Sequence, residues 1–336
     1  MAEIRVAVIG VGNVGSTFVQ GVEYYSNNKN TVGLWHQKVA GLKPSDIKIV
    51  SAFDINPAKV GKDLGQVSSS STKKYHEAKS KITIMPGIAL DSVEGEASSA
   101  SPLEFAKQLK DSKPDIVLNL ISSGMDKTSL EYAKAALGVG AAFVNSTPAK
   151  IATNPALADK FSQKKLVLAG DDLLSQFGGT AFHKGMIDFM VERGVQVRKS
   201  YQLDVGGSEE TKRTMVERIK MAKRSMKTGT IGLEAGYKFE SVAGTTEYTD
   251  FLGDSRNSYY WMVSEGFLGS SIVMDLTLRT NDGANAGNVL FDVVRASMAK
   301  GNVKKNAELI NAYGFKNPVK KHKIREAYAN FVEAFT

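Results

Sequence analysis

The run VAVIGVGNVGST places Gly10, Gly12 and Gly15 in a GxGxxG spacing between an apolar stretch and a helical one. In such a loop the first glycine allows a tight turn, the second lets backbone approach a pyrophosphate, and the third lets helix and strand pack closely. Asn13 and Val14 lie inside the loop, and the helix N-terminus there favours phosphate charge. The next strand-like run, IKIVSAFDIN, ends at Asp54. A carboxylate at that point accepts hydrogen bonds from an adenosine ribose, which selects NAD over NADP. Ser122 and Ser123, in NLISSGM, stand at the C-terminal edge of a further strand, on the nicotinamide side of such a cofactor. An ordinary loop is the alternative for that stretch.

A second chemistry is basic. KRTMVERIKMAKRSMK (212–227) holds seven basic residues against one acid. An apolar stripe at Met215, Ile219, Ala222 and Met226 puts Lys223 and Lys227 together on one edge of a helix, four residues apart. Like charges at that spacing repel, so an anion held between them would relieve a cost. A solvated basic face is the alternative. Just before it, YQLDVGGSEETKR (201–213) runs from an apolar strand into Gly206-Gly207 and two acids. That glycine pair is either a strand-ending turn or a close approach of backbone to a ligand.

The elements that must carry these groups alternate. Strand-like runs at Arg5–Ile9, Ile47–Phe53, Asp115–Ile121, Ala141–Val144 and Lys165–Leu168 are separated by helical ones, including Val14–Tyr25 and Phe182–Val191. This rhythm predicts an α/β fold with a doubly wound parallel sheet of Rossmann type. Residues 26–45 read as an insertion that lengthens the spacing from Gly15 to Asp54, and 66–101 as surface loops with a short strand at Ile82–Met85. After about residue 195 the runs VRKSYQLDV, EAGYKFESVAG, YYWMVSEGF and SSIVMDLTLR have little helix between them, which suggests an inserted, antiparallel, open-faced sheet. Helical periodicity returns from Gly287. The expected division is 1–195 for the dinucleotide domain, 196–285 for the inserted domain, and 286–336 for helices returning to the first.

The chain has 336 residues, no cysteine and a formal charge of +8. Disulfides and thiolate metal sites are therefore excluded, and a reducing compartment such as the cytoplasm is expected. MAEIRVAVIG enters a strand directly without a leader-like pattern, and no long uncharged apolar window suggests a membrane span. Aromatic residues are not interleaved with the basic runs, so an anionic small molecule is a better partner than nucleic acid.

Three further stretches carry a resemblance: AFVNSTPAKIATNPALADKF (142–161), LAGDDLLSQFGGTAFHKGMIDFMVERGVQV (168–197) and NDGANAGNVLFDVVRASMAKG (281–301). With the glycine loop and in the same order, they resemble the myo-inositol-1-phosphate synthases of the short prokaryotic type. The resemblance implies a Rossmann domain interrupted by a mixed-sheet catalytic domain that forms a tetramer. It also implies the NAD-dependent conversion of glucose 6-phosphate to inositol phosphate by oxidation, enolisation, intramolecular aldol closure and re-reduction. It makes Lys223, Lys227 and Lys316 the catalytic lysines, and it places Asp282 close to cofactor and lysines. Asp172 and Ser175 match positions near the nicotinamide and a bound cation; two such oxygens beside phosphate suit a hard divalent ion, although Asp171 or Asp172 could instead cap the following helix.

The sequence also departs from that family. Arg256 stands where the family usually has lysine; always protonated, it can stabilise an alkoxide but is a poor proton shuttle. Where the family reads roughly NxGGNxD, this chain has Asp204, Ser208 and Glu210 as its substrate-binding candidates. An amide offers donors and an acceptor to sugar hydroxyls and an aspartate acceptors only, so a different sugar or polyol phosphate, or a simple dehydrogenase reaction, is the alternative.

Overall fold

The computed structural model describes residues 3–28, 30–70, 74–91 and 97–336. Its first sheet has strands β1 (Ile4–Ile9), β2 (Ile47–Asp54), β3 (Ile84–Pro86), β4 (Ile116–Asn119), β5 (Ala142–Asn145) and β6 (Leu168–Ala169) in the order β3-β2-β1-β4-β5-β6. Every pairing in it is parallel. Helices α1 (Asn13–Asn27), α2 (Leu64–Ser70), α3 (Pro102–Ser112), α4 (Asp126–Val139) and α5 (Pro155–Gln163) make the crossovers. The two faces follow the pleat of β1. Ile4, Val6 and Val8 join Phe18 of α1 in one core, while Ala7 and Ile9 join Phe105 of α3 and Tyr132 of α4 in the other. Strand order reverses between β1 and β4, which opens a crevice at their C-terminal ends.

The second sheet follows α6 (Gly179–Glu192) and contains β7 (Gln196–Gly206), β8 (Glu240–Tyr248), β9 (Ser255–Glu265) and β10 (Ser271–Asn281), in the order β10-β9-β7-β8. Between β7 and β8 lie α7 (Glu209–Thr214) and α8 (Glu217–Ala235). One face of this sheet packs on α6 and α8 through Ile187, Met190, Ile231, Ala243, Tyr260 and Met262. Buried Lys184 of α6 and Glu234 of α8 pair at 2.9 Å inside that layer. Helices α9 (Asp282–Ala296), α10 (Val303–Gly314) and α11 (Ile324–Phe335) return to the first sheet, where Val289, Leu290 and Val293 of α9 share the core of β1 and α1.

Four expectations change. The second sheet is mixed, as the resemblance implied and against the antiparallel reading of its strand runs, because β8 runs parallel to β7; α7 and α8 bridge the two strands, and a connection of that length permits a parallel return. Residues 64–70 form α2 rather than loop, its Leu64 and Val67 buried against Val19 and Ile84; parts of the Ser-rich segment, 71–73 and 92–96, lie outside the described residues. The basic run is two helices separated at Val216, which is extended (ψ 120°). Its apolar stripe is not the buried face: Ala222 is exposed, and α8 buries Lys227, Thr230, Ile231 and Glu234 instead.

The insertion is docked rather than loose. The fully buried Arg295 of α9 donates to the carbonyls of His36, Gln37 and Leu42 and to Asp292 Oδ1 at 2.7 Å. Asp292 Oδ2 takes Tyr313 Oη at 2.6 Å and faces His36 Nδ1 at 2.7 Å. Trp35 stacks on Tyr328 of α11.

Candidate active site

The glycine loop closes against the crevice as its spacing requires. Gly10 has φ +90°, and a Cβ on it would lie 2.8 Å from Leu120 O. A Cβ on Gly15 would meet Gly10 O at 2.4 Å, so only glycine lets α1 start this close to the turn. At Gly12 a Cβ meets nothing within 4 Å. That open space, facing a helix N-terminus, is the cradle that a pyrophosphate needs. Asp54 sits at the end of β2, where its Oδ2 accepts from Val11 N at 2.8 Å and its Oδ1 from Asn56 N at 2.9 Å. Oδ1 keeps a further lone pair for a ribose hydroxyl. Lys59, unanticipated from sequence, donates to Val11 O at 2.9 Å and lies 3.5 Å from Asp54 Oδ2. These residues fit a dinucleotide.

One cavity of about 610 Å³ runs from this cradle past Ser122 and Ser123 to the second sheet, where Lys223, Lys227, Arg256, Lys316, Asp172, Asp204, Glu210 and Asp282 line it. Its size is that of a small-molecule site. Three elements bring the cations together. Alternation along β7 and β9 turns Asp204, Arg256 and Ser258 to the inner face, with Asp204 opposite Ser258 and Gly206 opposite Arg256. The inward face of α8 supplies Lys223 and Lys227, and the stretch after α10 supplies Lys316.

Each cation faces its own acid. Lys227 Nζ lies 2.7 Å from Asp204 Oδ2, and Lys316 Nζ lies 2.7 Å from Asp172 Oδ1. Arg256 Nε is 2.6 Å from Asp282 Oδ2, and its Nη1 is 3.5 Å from Asp204. Lys223 pairs with Glu210, whose carboxylate also takes Ser123 N at 2.9 Å and Ser123 Oγ at 2.5 Å. The two lysines of α8 therefore need no outside anion to relieve their repulsion, because Glu210 and Asp204 already separate them.

The electrostatics follow from burial set against these partners. Burial opposes ionisation of Asp204, but Lys227, then Arg256, then hydrogen bonds hold its pKa far below the usual carboxylate range. Lys227 is depressed from the usual amine value: desolvation outweighs Asp204, and Arg256 and Lys316 add to it. Asp172 and Glu210 are lowered, burial being overcome chiefly by Lys316 and Lys223 respectively. Asp254 goes the other way, pushed up to about 6 by burial and then by Asp282. It accepts from Asn13 Nδ2 at 2.8 Å, tying the glycine loop to the second sheet. Sequence reasoning passed over Asp254, which lies in the turn just before β9, where no strand alternation marks the side it faces.

The remaining candidates have structural roles. Ser208 caps α7 by accepting from Thr211 N at 3.2 Å. Gly207 lies where a Cβ would be 2.4 Å from Gly253 N and 2.6 Å from Thr249 O, so neighbouring backbone requires it; a Cβ on Gly206 would meet the Thr211 side chain at 2.7 Å. Asp171 does not cap a helix. It accepts from Asn145, Thr153 and the amides of Ile151 and Ala152, organising the loop that presents Asp172. Asp172 has φ +62° and spends Oδ1 on Lys316. Among the described residues no group of three acids or histidines is placed to hold a metal ion.

A parallel sheet with a glycine-rich switch point, interrupted by a mixed sheet that turns buried cations toward it, defines an α/β protein of the dinucleotide-dependent class. Residues 178–283 match the family described as myo-inositol-1-phosphate synthase. The chain is 33% identical to inositol-3-phosphate synthase of Mycobacterium tuberculosis over 312 residues, which is 88% of this chain and 85% of that one. It is 32% identical to inositol-3-phosphate synthase of Mycolicibacterium smegmatis, over 95% of this chain and 94% of that one. The crystal structure of a myo-inositol-1-phosphate synthase-related protein from Thermotoga maritima superposes with a TM-score of 0.86 at 23% identity, covering 99% and 98% of the two chains, and so shares the fold. This chain belongs to the inositol-3-phosphate synthase family.

Proposed function

We propose that this protein is an inositol-3-phosphate synthase, an isomerase that cyclises glucose 6-phosphate to 1L-myo-inositol 1-phosphate with NAD. The observation that carries this reading is the convergence of Lys223, Lys227, Lys316 and Arg256 on the cavity that begins at the Gly10–Gly15 cradle. Gly12, Asn13 and Asp54 would hold NAD, with Ser122 and Ser123 toward its nicotinamide end, and it would supply a reversible hydride acceptor for C5. Lys223 and Lys316, which both act on Asp172, suit the substrate phosphate, each exchanging its acid for a phosphate oxygen. Arg256, held by Asp282 and Asp204, is a fixed cation for the oxyanion that forms at the C5 oxygen and the enolate. Lys227, with its depressed pKa, is the amine best suited to take the C6 proton and return one to the ring alkoxide after aldol closure.

A divalent cation would take Asp172 and Ser175, with ligand phosphates supplying its remaining oxygens, since two protein donors are too few for a hard ion. Residues 1–195 then serve the cofactor, 196–285 the chemistry and assembly, and 286–336 brace the first unit. The outer face of the second sheet carries Tyr201, Leu203, Tyr259, Trp261 and Val273, with Leu203 37% and Val273 55% exposed. That face suits another copy of the chain, as a homo-oligomer up to a tetramer. No described helix is long and apolar enough to cross a membrane, and the lack of cysteine suits the cytoplasm.

Incubation with glucose 6-phosphate and NAD, with magnesium supplied, should yield inositol phosphate by NMR with no net NADH; no product would sink the reading. The Arg256–Asp204 contact at 3.5 Å favours one alternative, a related enzyme on another sugar or polyol phosphate. Stoichiometric NADH release across a substrate panel would mark it as a simple dehydrogenase.

A further inference from the structure

Behind Asp204 a chain of polar side chains leads away from the cavity into the layer between α6 and the second sheet. Asp204 Oδ1 accepts from Gln202 Nε2 at 2.8 Å and from Ser258 Oγ at 2.7 Å. Gln202 Oε1 faces His183 Nδ1 at 3.2 Å, and His183 Nε2 faces Ser200 Oγ at 2.5 Å. His183, Gln202 and Asp204 are all fully buried. Gly179 makes the room: a Cβ there would lie 2.4 Å from Gln202 Nε2.

The direction of this chain follows from one charge. An ionised carboxylate only accepts, so Gln202 must turn its amide nitrogen to Asp204. Its carbonyl oxygen then faces His183, so His183 must carry its proton on Nδ1. The bare Nε2 accepts from the Ser200 hydroxyl. We infer that His183 and Gln202 are positioning residues that lock Asp204, and through it Lys227, in one orientation for proton transfer; this rests on the synthase reading above. Burial pushes the His183 imidazole down to about 4, so the ring stays neutral and the relay keeps its direction near neutral pH.

Lys227 faces Asp204 from β7, Arg256 from β9, Asp172 from the stretch before α6 and Lys316 from the stretch after α10. Asp204 is the acid that raises its pKa most, so loosening Asp204 lowers it. The first test is on the whole wild-type chain labelled with ¹⁵N-histidine. Long-range ¹H–¹⁵N spectra should show His183 protonated on Nδ1, bare on Nε2, and not titrating between about pH 5 and 8; an Nε2–H tautomer would overturn the inference. The second uses His183→Phe and Gln202→Met. Each should lose about 10- to 100-fold in kcat with little change in KM, and the acid limb of its kcat profile should move to lower pH. A folded variant with wild-type kcat and an unmoved limb would overturn the positioning role. Because the tautomer is read without turnover, a wild-type chain inactive on glucose 6-phosphate would sink the synthase reading and leave the relay standing.

Discussion

At the scale of single residues, the site is a set of exchanges between burial and pairing. Lys227→Met removes the main partner of a fully buried carboxylate and leaves Asp204 with Arg256 at 3.5 Å. Breaking one side of such a pair costs about 3–5 kcal/mol; losing the amine that moves the C6 proton costs on the order of 10²–10⁴ in kcat/KM. Urea melts and steady-state rates should show both losses together. Asp254 predicts the opposite sign. Its pKa rises from 3.8 to about 6 on folding, so between those values the folded chain holds a proton that the unfolded chain has released. Stability therefore falls as pH rises through that window and levels off above it. Asp254→Asn should match the wild type near pH 4 and exceed it above pH 6 by up to about 3 kcal/mol, measured by denaturant titration at both pH values.

At the scale of elements, the charged groups matter through what they hold. Arg295 is fully buried and ties the 36–42 segment to α9 through three carbonyls and Asp292. Arg295→Met should strand Asp292 between His36 and Tyr313 and cost about 3–5 kcal/mol in thermal or urea unfolding; a loss under about 1 kcal/mol would show that the segment is held by its aromatic stack alone. The same scale explains where periodicity misled. The stripe of Met215, Ile219, Ala222 and Met226 has helical spacing, yet the helix breaks at Val216 and α8 turns its lysine edge inward. Hydrophobic spacing ranks faces by transfer from water, and that ranking reverses when buried acids wait for the amines.

At the scale of the whole molecule, the second sheet has one covered face and one open one. The Tyr201–Trp261 stack, at 5.3 Å between rings, lies on the open face beside Leu203. A charge placed there should matter only if another copy covers it. Leu203→Glu together with Trp261→Glu should shift sedimentation velocity from an oligomer to a monomer; an unchanged sedimentation coefficient would place the interface elsewhere. The first sheet, by contrast, has cores on both faces, and its order puts the glycine loop at the switch point.

The sequence by itself determined the parallel sheet, the Gly10–Gly15 cradle and the acid at the end of β2, because these rest on short-range patterns: two-residue alternation, a glycine spacing, a strand end. It also placed the lysines and Arg256 in one family order. Only the tertiary structure decided which acid each cation meets, that β8 runs parallel to β7, and that the Gly206-Gly207 turn answers to the backbone of 249–253. It alone set Asp254 against Asn13 and His183 behind Asp204. Those contacts join residues far apart in the chain across two sheets, and their energies come from desolvation and charge pairing, which local spacing does not encode.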